Sequence, residues 1–188
     1  MANADRVKQP WFGGARSVAE QMMGLEAALA ETPGKRVLDL GCAEGAIAFA
    51  FARARAAYVS AMDYNALMVK QAQEEQERLG LRNIAVEYAD LSDWIEAPRA
   101  SWGQFDIVLA LAVLHKLTSP RAGAEFCADV CSSLLVIRFP KGSSGRIHSK
   151  QHPHDTADVP KILTGKGFVR ERKEVGPRGE WVQYWRRK

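Results

Sequence analysis

Short apolar runs alternate with amphipathic segments along most of the chain. Five runs rich in Val, Ile, Leu and Ala span residues 37–40, 58–63, 84–90, 105–112 and 134–139. Between them lie longer segments whose apolar residues recur at the helical period, at 46–55, 66–79 and 120–132. Alternation of strands and helices over short connections is typical of a parallel sheet covered by helices on both faces. The pattern therefore predicts an α/β fold.

Capping residues mark the ends of the predicted helices. Ser17 opens a capping-box pattern, and an apolar stripe continues from there until Gly34. Asn65 precedes a helix that Gly80 ends. A further short helix is predicted at 159–164. The first helix and the helix at 66–79 therefore each have a start and a stop signal.

The C-terminal segment predicts a hairpin of two unlike strands. Residues 168–175 are mostly polar, residues 176–179 read Gly-Pro-Arg-Gly, and residues 181–185 are rich in aromatic side chains. A polar strand suits the edge of a sheet, whereas an apolar strand suits its interior. We therefore expect the last strand inside the sheet and the strand before it at the edge.

The length of the chain fits one domain. At 188 residues, it is long enough to bury roughly 70% of the surface of the unfolded chain. Within a single domain of residues 1–188, residues 1–16 read as an N-terminal arm and residues 141–156 as a basic loop. No apolar run approaches the roughly 18 residues of a membrane span. These features predict a cytoplasmic protein without a membrane segment.

The three cysteines agree with a reducing compartment, because an odd number leaves no paired disulfide framework. Cys127 and Cys131 are four residues apart in a predicted helix, and we interpret them as packing residues. A metal site there would need two more ligands, which the sequence does not offer. No metal is therefore predicted.

The net charge of +4 is unevenly distributed. Residues 1–131 carry 13 Lys and Arg against 17 Asp and Glu, whereas residues 132–188 carry 13 against 5. This basic excess suits an anionic partner, such as a phosphorylated small molecule, nucleic acid or an acidic protein. Cations on an edge strand also prevent aggregation, so a purely solubilising role stays open.

The most informative local signal is the turn after the first predicted strand, Val-Leu-Asp-Leu-Gly-Cys-Ala-Glu-Gly at 37–45. Gly41 and Gly45 let backbone come close to a ligand, and the helix that begins at Ala46 offers unpaired N-terminal amides. A dinucleotide-binding dehydrogenase would show G-x-G-x-x-G, whereas this chain has Ala43 between its two glycines. The turn predicts a nucleotide-like ligand of another class.

The turn resembles motif I of class I S-adenosylmethionine-dependent methyltransferases, in which an acid-bearing hydrophobic strand leads into Gly-Cys-x-x-Gly. The resemblance covers about residues 17–188 and is strongest from Val37 to Asp90. It implies a single Rossmann-like, doubly wound sheet of seven strands, mostly parallel with an antiparallel C-terminal strand. It also implies an enzyme that uses S-adenosylmethionine as its cofactor.

Acidic residues end the next two predicted strands, as they do in that family. Asp63 closes the second strand about 20 residues after the glycine turn, where a carboxylate can reach both ribose hydroxyls. Asp90 closes the third strand and resembles the family's acid beside the adenine amino group. The predicted cofactor site comprises Asp39, Gly41, Cys42, Ala43, Gly45, Asp63, Tyr64, Asp90, Leu91 and Ala110.

Two catalytic candidates follow from the fourth and fifth strands, because the methyl acceptor should lie beyond their carboxyl ends. His115, in a Leu-His-Lys segment that resembles the family's Leu-His-His, is the predicted general base. With an ordinary pKa, its protonation would reduce turnover below about pH 6.5. Arg138 is the second candidate. As alternatives, His115 could simply pack at the strand end, and Arg138 could form an ion pair with Glu171 or Asp106.

The basic loop supplies the predicted acceptor-binding residues Lys141, Arg146 and His148. No acid occurs between residues 141 and 154, and a long loop on a catalytic face is often a lid. The expected acceptor is therefore a polar, anionic small molecule that is methylated on oxygen or nitrogen.

Missing motifs narrow the acceptor further. The fourth strand lacks the Asn/Asp-Pro-Pro-Tyr/Phe motif of exocyclic-amine DNA methyltransferases and the Pro-Cys of cytosine C5 enzymes. No acid ends it, as the Lys-Asp-Lys-Glu tetrad of ribose 2′-O methyltransferases requires. Three alternatives stay open: methylation of RNA, a non-catalytic scaffold that binds RNA or a protein through the basic third, and a nucleotide-dependent oxidoreductase. The oligomeric state also stays open.

Overall fold

The computed structural model describes residues 17–97, 103–139 and 156–188. Their strands are β1 (Arg36–Leu40), β2 (Tyr58–Asp63), β3 (Ile84–Tyr88), β4 (Phe105–Leu111), β5 (Cys131–Phe139), β6 (Phe168–Val175) and β7 (Trp181–Arg187). Their α-helices are α1 (Val18–Met22), α2 (Glu26–Ala30), α3 (Ala46–Arg53), α4 (Ala66–Leu79), α5 (Leu91–Glu96), α6 (Pro120–Val130) and α7 (Val159–Gly165). Short 3₁₀ turns occur at Leu114–Lys116 and Pro177–Gly179.

The seven strands form one sheet in the order β3-β2-β1-β4-β5-β7-β6. Neighbours from β3 to β5 run parallel, and β7 is antiparallel to both β5 and β6. The predicted doubly wound sheet with an antiparallel C-terminal strand is therefore confirmed. The polar strand β6 lies at the edge and the aromatic strand β7 lies inside, also as expected.

Two hydrophobic clusters cover the two faces of the sheet, because alternate residues of each strand point to opposite sides. On one face, Val37 and Leu109 pack with Phe51 of α3. On the other, Leu38 and Val108 pack with Phe126 of α6. This two-sided burial explains why the central strands read as continuous apolar runs rather than alternating ones.

The predicted first helix is interrupted. It forms two short helices, α1 and α2, because Gly24 adopts a left-handed conformation with φ of +74° between them. A side chain at this glycine would approach the carbonyl oxygen of Val175 to 3.0 Å. The Tyr184 hydroxyl also donates to the Gly24 carbonyl at 2.7 Å. The turn is therefore shaped by its contact with the C-terminal hairpin.

Two further boundaries differ from expectation. The helix predicted to reach about residue 132 ends at Val130, and Cys131 instead begins β5, where it pairs with Phe105 of β4. The short helix α5 was not predicted, and the Asp90 side chain caps it by accepting from the Ser92 amide at 2.8 Å. Pairing with β4 therefore sets the start of β5, and the hydrogen bond from the Ser92 amide to Asp90 sets the start of α5.

Candidate active site

A cleft of about 370 Å³ opens at the carboxyl edge of the sheet. It lies where the chain changes direction, since β2 and β3 follow on one side of β1 and β4 lies on the other. Such a switch point is where open α/β sheets bind ligands. Its walls consist of Gly41, Ala43, Met62, Asp63, Tyr64, Ala89, Asp90, Leu91, Ser92, Leu111, Ala112, Val113, Lys116, Leu117 and Thr118.

The glycine turn forms the floor of the cleft in a conformation that few side chains allow. Gly41 has φ of +74°, and an added Cβ would lie 3.4 Å from the side chain of Val113 on the opposite wall. Gly45 has φ of +82°, and its Cβ would lie 2.6 Å from the Phe49 ring. Both glycines are therefore needed, the first to keep the cleft open and the second to let α3 begin.

Asp63 ties the end of β2 to the glycine turn. One carboxylate oxygen accepts from the Ala43 amide at 2.9 Å, and the other accepts from the Asn65 amide at 2.9 Å. Each oxygen keeps a further lone pair for a ligand hydroxyl. The position of Asp63 in the cleft wall is compatible with the predicted ribose contact, which stays a prediction.

Asp39 lies beneath the same turn in a very different environment. It is 2% exposed, and Oδ2 is buried without a hydrogen-bond partner in the described part of the chain. Burial and, to a smaller extent, the negative charge of Asp63 raise the pKa of Asp39 to about 7, although the charge of Arg138 opposes this shift. A cationic or hydrogen-bond-donating ligand would satisfy this oxygen.

Tyr64, Asp90 and Leu91 bring the ends of β2 and β3 into the wall. Tyr64 is 66% exposed and therefore available to a ligand. Asp90 uses Oδ1 to cap α5, and its Oδ2 stays available for a further hydrogen bond. These three predicted cofactor residues do meet at one cleft, and their predicted contacts stay untested.

Four predicted cofactor residues lie outside the cleft wall: Asp39, Cys42, Gly45 and Ala110. Ala110 is fully buried in the core. Cys42 is also buried, and burial raises the pKa of its thiol far above the ordinary value. The backbones of Cys42 and Gly41 both donate to the Met62 carbonyl at 2.9 Å, so these residues shape the turn.

The segment after β4 forms the opposite wall, and most of this wall was not predicted. Ala112 has φ of +59°, and its amide donates to the Arg138 carbonyl at 2.9 Å. A left-handed non-glycine residue costs about 1 to 3 kcal/mol and is frequent at functional sites. The exposed Lys116 lines the cleft beside Leu117. The sequence held one signal for this wall, because Lys116 stands where the family pattern Leu-His-His has its second histidine.

His115 lies in the 3₁₀ turn beside this wall, but it is not one of the lining residues. Its Nδ1 is buried and has no hydrogen-bond partner among residues that the structure describes. Burial lowers the pKa of His115 to about 4, with a further contribution from the charge of Lys116. The imidazole is therefore neutral at pH 7, as a general base must be, and its catalytic role stays a prediction.

Arg138 does not line the cleft either. It is 5% exposed, its Nε lies 3.5 Å from Glu180, and its Nη1 donates to the Gln21 carbonyl at 3.0 Å. The sequence suggested Glu171 or Asp106 as the ion-pair partner of Arg138. In the structure, Glu171 pairs with Arg186, and Asp106 accepts from the Arg36 amide. These contacts favour an ion pair over the predicted catalytic role, which stays untested.

The predicted acceptor-binding residues Lys141, Arg146 and His148 lie outside the described residues, as do the N-terminal arm and almost all of the basic loop. Over residues 17–97, 103–139 and 156–188, no cluster of His, Cys, Asp or Glu could hold a metal ion. Over the same ranges, no helix combines the length and hydrophobicity needed to cross a bilayer.

Comparison with known proteins identifies the family of the chain. A family model described as a methyltransferase domain matches residues 31–141, more than half of the chain. The chain belongs to this methyltransferase family. The predicted methyltransferase family is therefore confirmed.

Named relatives support the same assignment. The ubiquinone biosynthesis O-methyltransferase of Psychrobacter arcticus is 32% identical over 159 residues, covering 73% of this chain and 60% of that protein. The protein of the same name from Neisseria meningitidis is 31% identical over 110 residues, covering 58% of this chain and 45% of that protein. This chain therefore spans only about half the length of these relatives.

Solved structures share the fold. Magnesium protoporphyrin IX methyltransferase from Synechocystis PCC 6803, determined with bound S-adenosylhomocysteine, superposes with a TM-score of 0.71 at 24% identity. The alignment covers 91% of this chain and 84% of that one. At this identity, the likeness supports the fold and not the acceptor.

The residues present fit S-adenosylmethionine. The cofactor carries an ammonium group and a sulfonium, and the buried carboxyl of Asp39 beneath the turn has an unpartnered oxygen. The exposed floor at Gly41 admits close approach, and Asp63 and Asp90 offer acceptors for hydroxyl and amino groups. When bound, the cofactor would supply an already activated methyl group, so the protein must mainly hold and orient the acceptor.

Proposed function

We propose that this methyltransferase transfers a methyl group from S-adenosylmethionine to a hydroxyl oxygen of a small, polar acceptor that carries an anionic group. The observation that carries the proposal is the single cleft in which Asp63, Asp90 and the glycine turn face the segment after β4. Its volume of about 370 Å³ lies within the usual range of small-ligand sites.

The choice of oxygen rests on the relatives that are named as O-methyltransferases of ubiquinone biosynthesis. In the transfer, the acceptor oxygen forms a bond to the methyl carbon as the carbon–sulfur bond breaks, and the hydroxyl proton must leave. His115 is our candidate to accept that proton, since its lowered pKa keeps the imidazole neutral. Lys141, Arg146 and His148 are our candidates to hold the anionic group.

The internal contacts of two C-terminal arginines favour a small molecule over RNA. Arg186 and Arg187, which contribute to the basic C-terminal third, are already engaged within the fold. Arg186 binds Glu31 and Glu171, and Arg187 donates to main-chain carbonyls of α6 and β5. Their charge is therefore less available to phosphates than the composition alone suggests.

Calorimetry tests the proposal in two steps. S-Adenosylmethionine and S-adenosylhomocysteine should bind and NAD should not. Asp63→Ala should then weaken cofactor binding by about 1.5 to 3 kcal/mol, the usual worth of hydrogen bonds to a charged group. Asp93→Ala is the matched control, because Asp93 lies in α5 outside the cleft wall. Unchanged affinity in Asp63→Ala would remove Asp63 from the cofactor site.

Labelled-methyl transfer then tests the acceptor class. Radioactive methyl from S-adenosylmethionine should appear on hydroxylated small anions and not on RNA. Label that enters only amines or RNA would overturn the oxygen and small-molecule parts of the proposal.

Replacing Arg146 and Lys150 together with Ala should raise the acceptor KM and leave cofactor affinity unchanged.

A further inference from the structure

A row of apolar residues extends from the cleft across the carboxyl edge of the sheet. It begins at Ala112, whose amide donates to the Arg138 carbonyl of β5, and continues through Phe139, Trp181 and Val175 on three neighbouring strands. Phe139 pairs directly with Trp181, and Trp181 pairs directly with Val175. Directly opposed residues of antiparallel strands project from the same face, so these side chains form one continuous strip.

The strip becomes more exposed with distance from the cleft. Phe139 is buried, whereas Trp181 is 44% exposed and Val175 is 56% exposed. Trp181 therefore presents aromatic surface to solvent at the edge where acceptors bind. Strands are about 4.8 Å apart, so β7 lies about 10 Å from β4, a distance that one small molecule can bridge.

A cation lies on the exposed part of this strip. The Nζ atom of Lys173 is 3.7 Å from the centroid of the Trp181 ring. No carboxylate in the described ranges lies within ion-pair distance of Lys173, although Glu171 on the same strand pairs with Arg186. The strip therefore combines an aromatic surface with one positive charge that no carboxylate of the described residues neutralises.

The backbone that carries Trp181 is held by its neighbours. Glu180, the preceding residue, is 5% exposed and lies 3.5 Å from Arg138, which precedes Phe139. The hairpin is closed further by the Gly176 amide, which donates to the Glu180 carbonyl at 2.8 Å. Because these contacts fix the backbone at Trp181 before a ligand binds, this segment loses little conformational entropy on binding.

We propose that Trp181, Val175 and Lys173 form an acceptor subsite that binds a planar ring bearing an anionic group. The proposal rests on the proposed function and adds to it the substrate class, an aromatic hydroxy acid. Trp181 and Val175 contact the ring, since aromatic pairs gain energy beyond burial. Lys173 pairs with the anion, and the reacting hydroxyl points back along the strip towards Ala112.

Three catechols test the subsite, one with a negative charge, one without charge and one with a positive charge: 3,4-dihydroxybenzoate, catechol and dopamine. Their dissociation constants are measured by calorimetry on the full chain saturated with S-adenosylhomocysteine. Wild-type protein should bind the carboxylate about 2- to 5-fold more tightly than neutral catechol, as for an exposed ion pair, and dopamine most weakly. Trp181→Ala should weaken all three by about 3- to 10-fold.

Lys173→Gln should abolish the preference for the carboxylate while leaving catechol affinity unchanged. Tyr58→Ala and Lys35→Gln are matched controls, because both residues lie at the opposite, amino-terminal edge of the sheet and should change nothing. Trp181 is 44% exposed, so its replacement should lower the melting temperature by no more than about 4 °C.

Equal affinities of the three probes in the wild type, or unchanged affinities in Trp181→Ala, would overturn the subsite. S-Adenosylhomocysteine binding without any probe binding would overturn it too, and would leave the methyltransferase assignment intact. Failure to bind S-adenosylhomocysteine would instead contradict the proposed function. A single-stranded RNA oligomer that binds through Trp181 and is not displaced by the probes would assign this surface to RNA and reject the acceptor.

Discussion

Asp39 and Asp63 end neighbouring strands but differ in the groups that surround their carboxyls. Two backbone amides donate to the carboxylate oxygens of Asp63, whereas Asp39 is almost fully buried and has an oxygen without a donor in the described ranges. Burial therefore raises the pKa of Asp39 to about 7. Asp39 is therefore protonated in mildly acidic solution.

We expect Asp39→Asn to stabilise the cofactor-free protein at high pH and not at low pH. Because the folded-state pKa is raised, the stabilising contribution of the Asp39 carboxyl is present below about pH 4 and lost as the pH rises through about 7. One unit of pKa corresponds to about 1.4 kcal/mol. The rise of the pKa from 3.8 to about 7 spans about 3 units and therefore about 4 kcal/mol, so at about 2 to 4 °C per kcal/mol the variant should melt roughly 8 to 16 °C above the wild type at pH 8.

Melting curves of both proteins from pH 4 to pH 8 check this expectation. Asp93→Asn serves as the control, since Asp93 lies outside the cleft. Cofactor affinity should fall in Asp39→Asn even as the melting temperature rises. A difference in melting temperature that does not change with pH would contradict the assigned protonation.

The environment of His115 changes the pH dependence expected from the sequence. Its pKa is lowered to about 4, so turnover should persist through pH 6 and fall near pH 4, rather than near the ordinary value of about 6.5. If His115 is the base, His115→Ala should lower turnover about 10²- to 10⁴-fold with cofactor affinity unchanged. If it only packs, the change should cost about 1 kcal/mol of stability and spare turnover.

Single-turnover rates and melting temperatures, measured together, separate these outcomes. Lys116→Gln removes the neighbouring charge that lowers the pKa of His115. It should move the acid limb of the rate profile slightly upward. A stable His115→Ala variant with full turnover would eliminate the base assignment, whereas the methyltransferase assignment would stand.

The C-terminal hairpin and the N-terminal helices stabilise each other at the scale of whole elements. Arg138 of β5 holds both Glu180 at the start of β7 and the Gln21 carbonyl of α1. The Tyr184 hydroxyl binds the Gly24 carbonyl in the turn between α1 and α2. The carboxyl edge of the sheet is therefore supported by contacts between distant parts of the chain.

Glu180→Gln should destabilise the protein by about 3 to 5 kcal/mol, because it removes the carboxylate that faces the buried Arg138. Chemical denaturation measures the loss. The double variant Arg138→Met, Glu180→Leu should recover much of it, since an apolar pair can replace a buried ion pair. Normal turnover in the folded double variant would rule out catalysis by Arg138, and loss of turnover at full stability would restore that hypothesis.

Elements whose limits depend on local signals could be predicted, and those that depend on distant partners could not. The helix 66–79 follows from its Asn65 cap and its glycine stop, and both are present. The break at Gly24 depends on Tyr184, 160 residues away. The start of β5 at Cys131 likewise depends on pairing with β4.

The same distinction applies to the candidate site. Gly41, Asp63 and Asp90 stand at strand ends, so the topology alone brings them to one edge, and all three line the cleft. The wall after β4 has an irregular backbone, and no hydrophobic period in the sequence predicts its path. The position of Lys116 in the cleft wall was therefore not predicted. The partner of Arg138 was also missed, because Glu180 meets it only through the register of β5 and β7.

At the scale of the whole molecule, part of the basic charge in residues 132–188 forms ion pairs within the fold. From the sequence alone, this charge suggested a binding surface. Arg186 of β7 makes two hydrogen bonds to Glu31, 155 residues earlier, at 2.8 and 2.9 Å. It also lies 3.1 Å from Glu171. This pairing lowers the pKa of Glu31, chiefly through the hydrogen bond from Arg186.

Arg186→Met should therefore reduce stability and not ligand binding. Both partners are partly exposed, so we expect a loss of about 1 kcal/mol, which corresponds to roughly 2 to 4 °C in melting temperature at pH 7. Because the folded pKa of Glu31 is lowered, the pairing contributes above the unfolded pKa and is lost as the pH falls through the folded value. The difference between variant and wild type should shrink below about pH 4.

Arg121→Met is the control for this last prediction, since Arg121 forms an exposed pair with Glu125 within α6 and should cost less than about 0.5 kcal/mol. RNA affinity across a salt series provides the opposing test, because phosphate contacts give a steep dependence on salt. If Arg186→Met melted like the wild type and lost salt-dependent RNA binding, the basic third would be a nucleic-acid surface. A lower melting temperature with unchanged binding would instead establish Arg186 as a tie between the two ends of the fold.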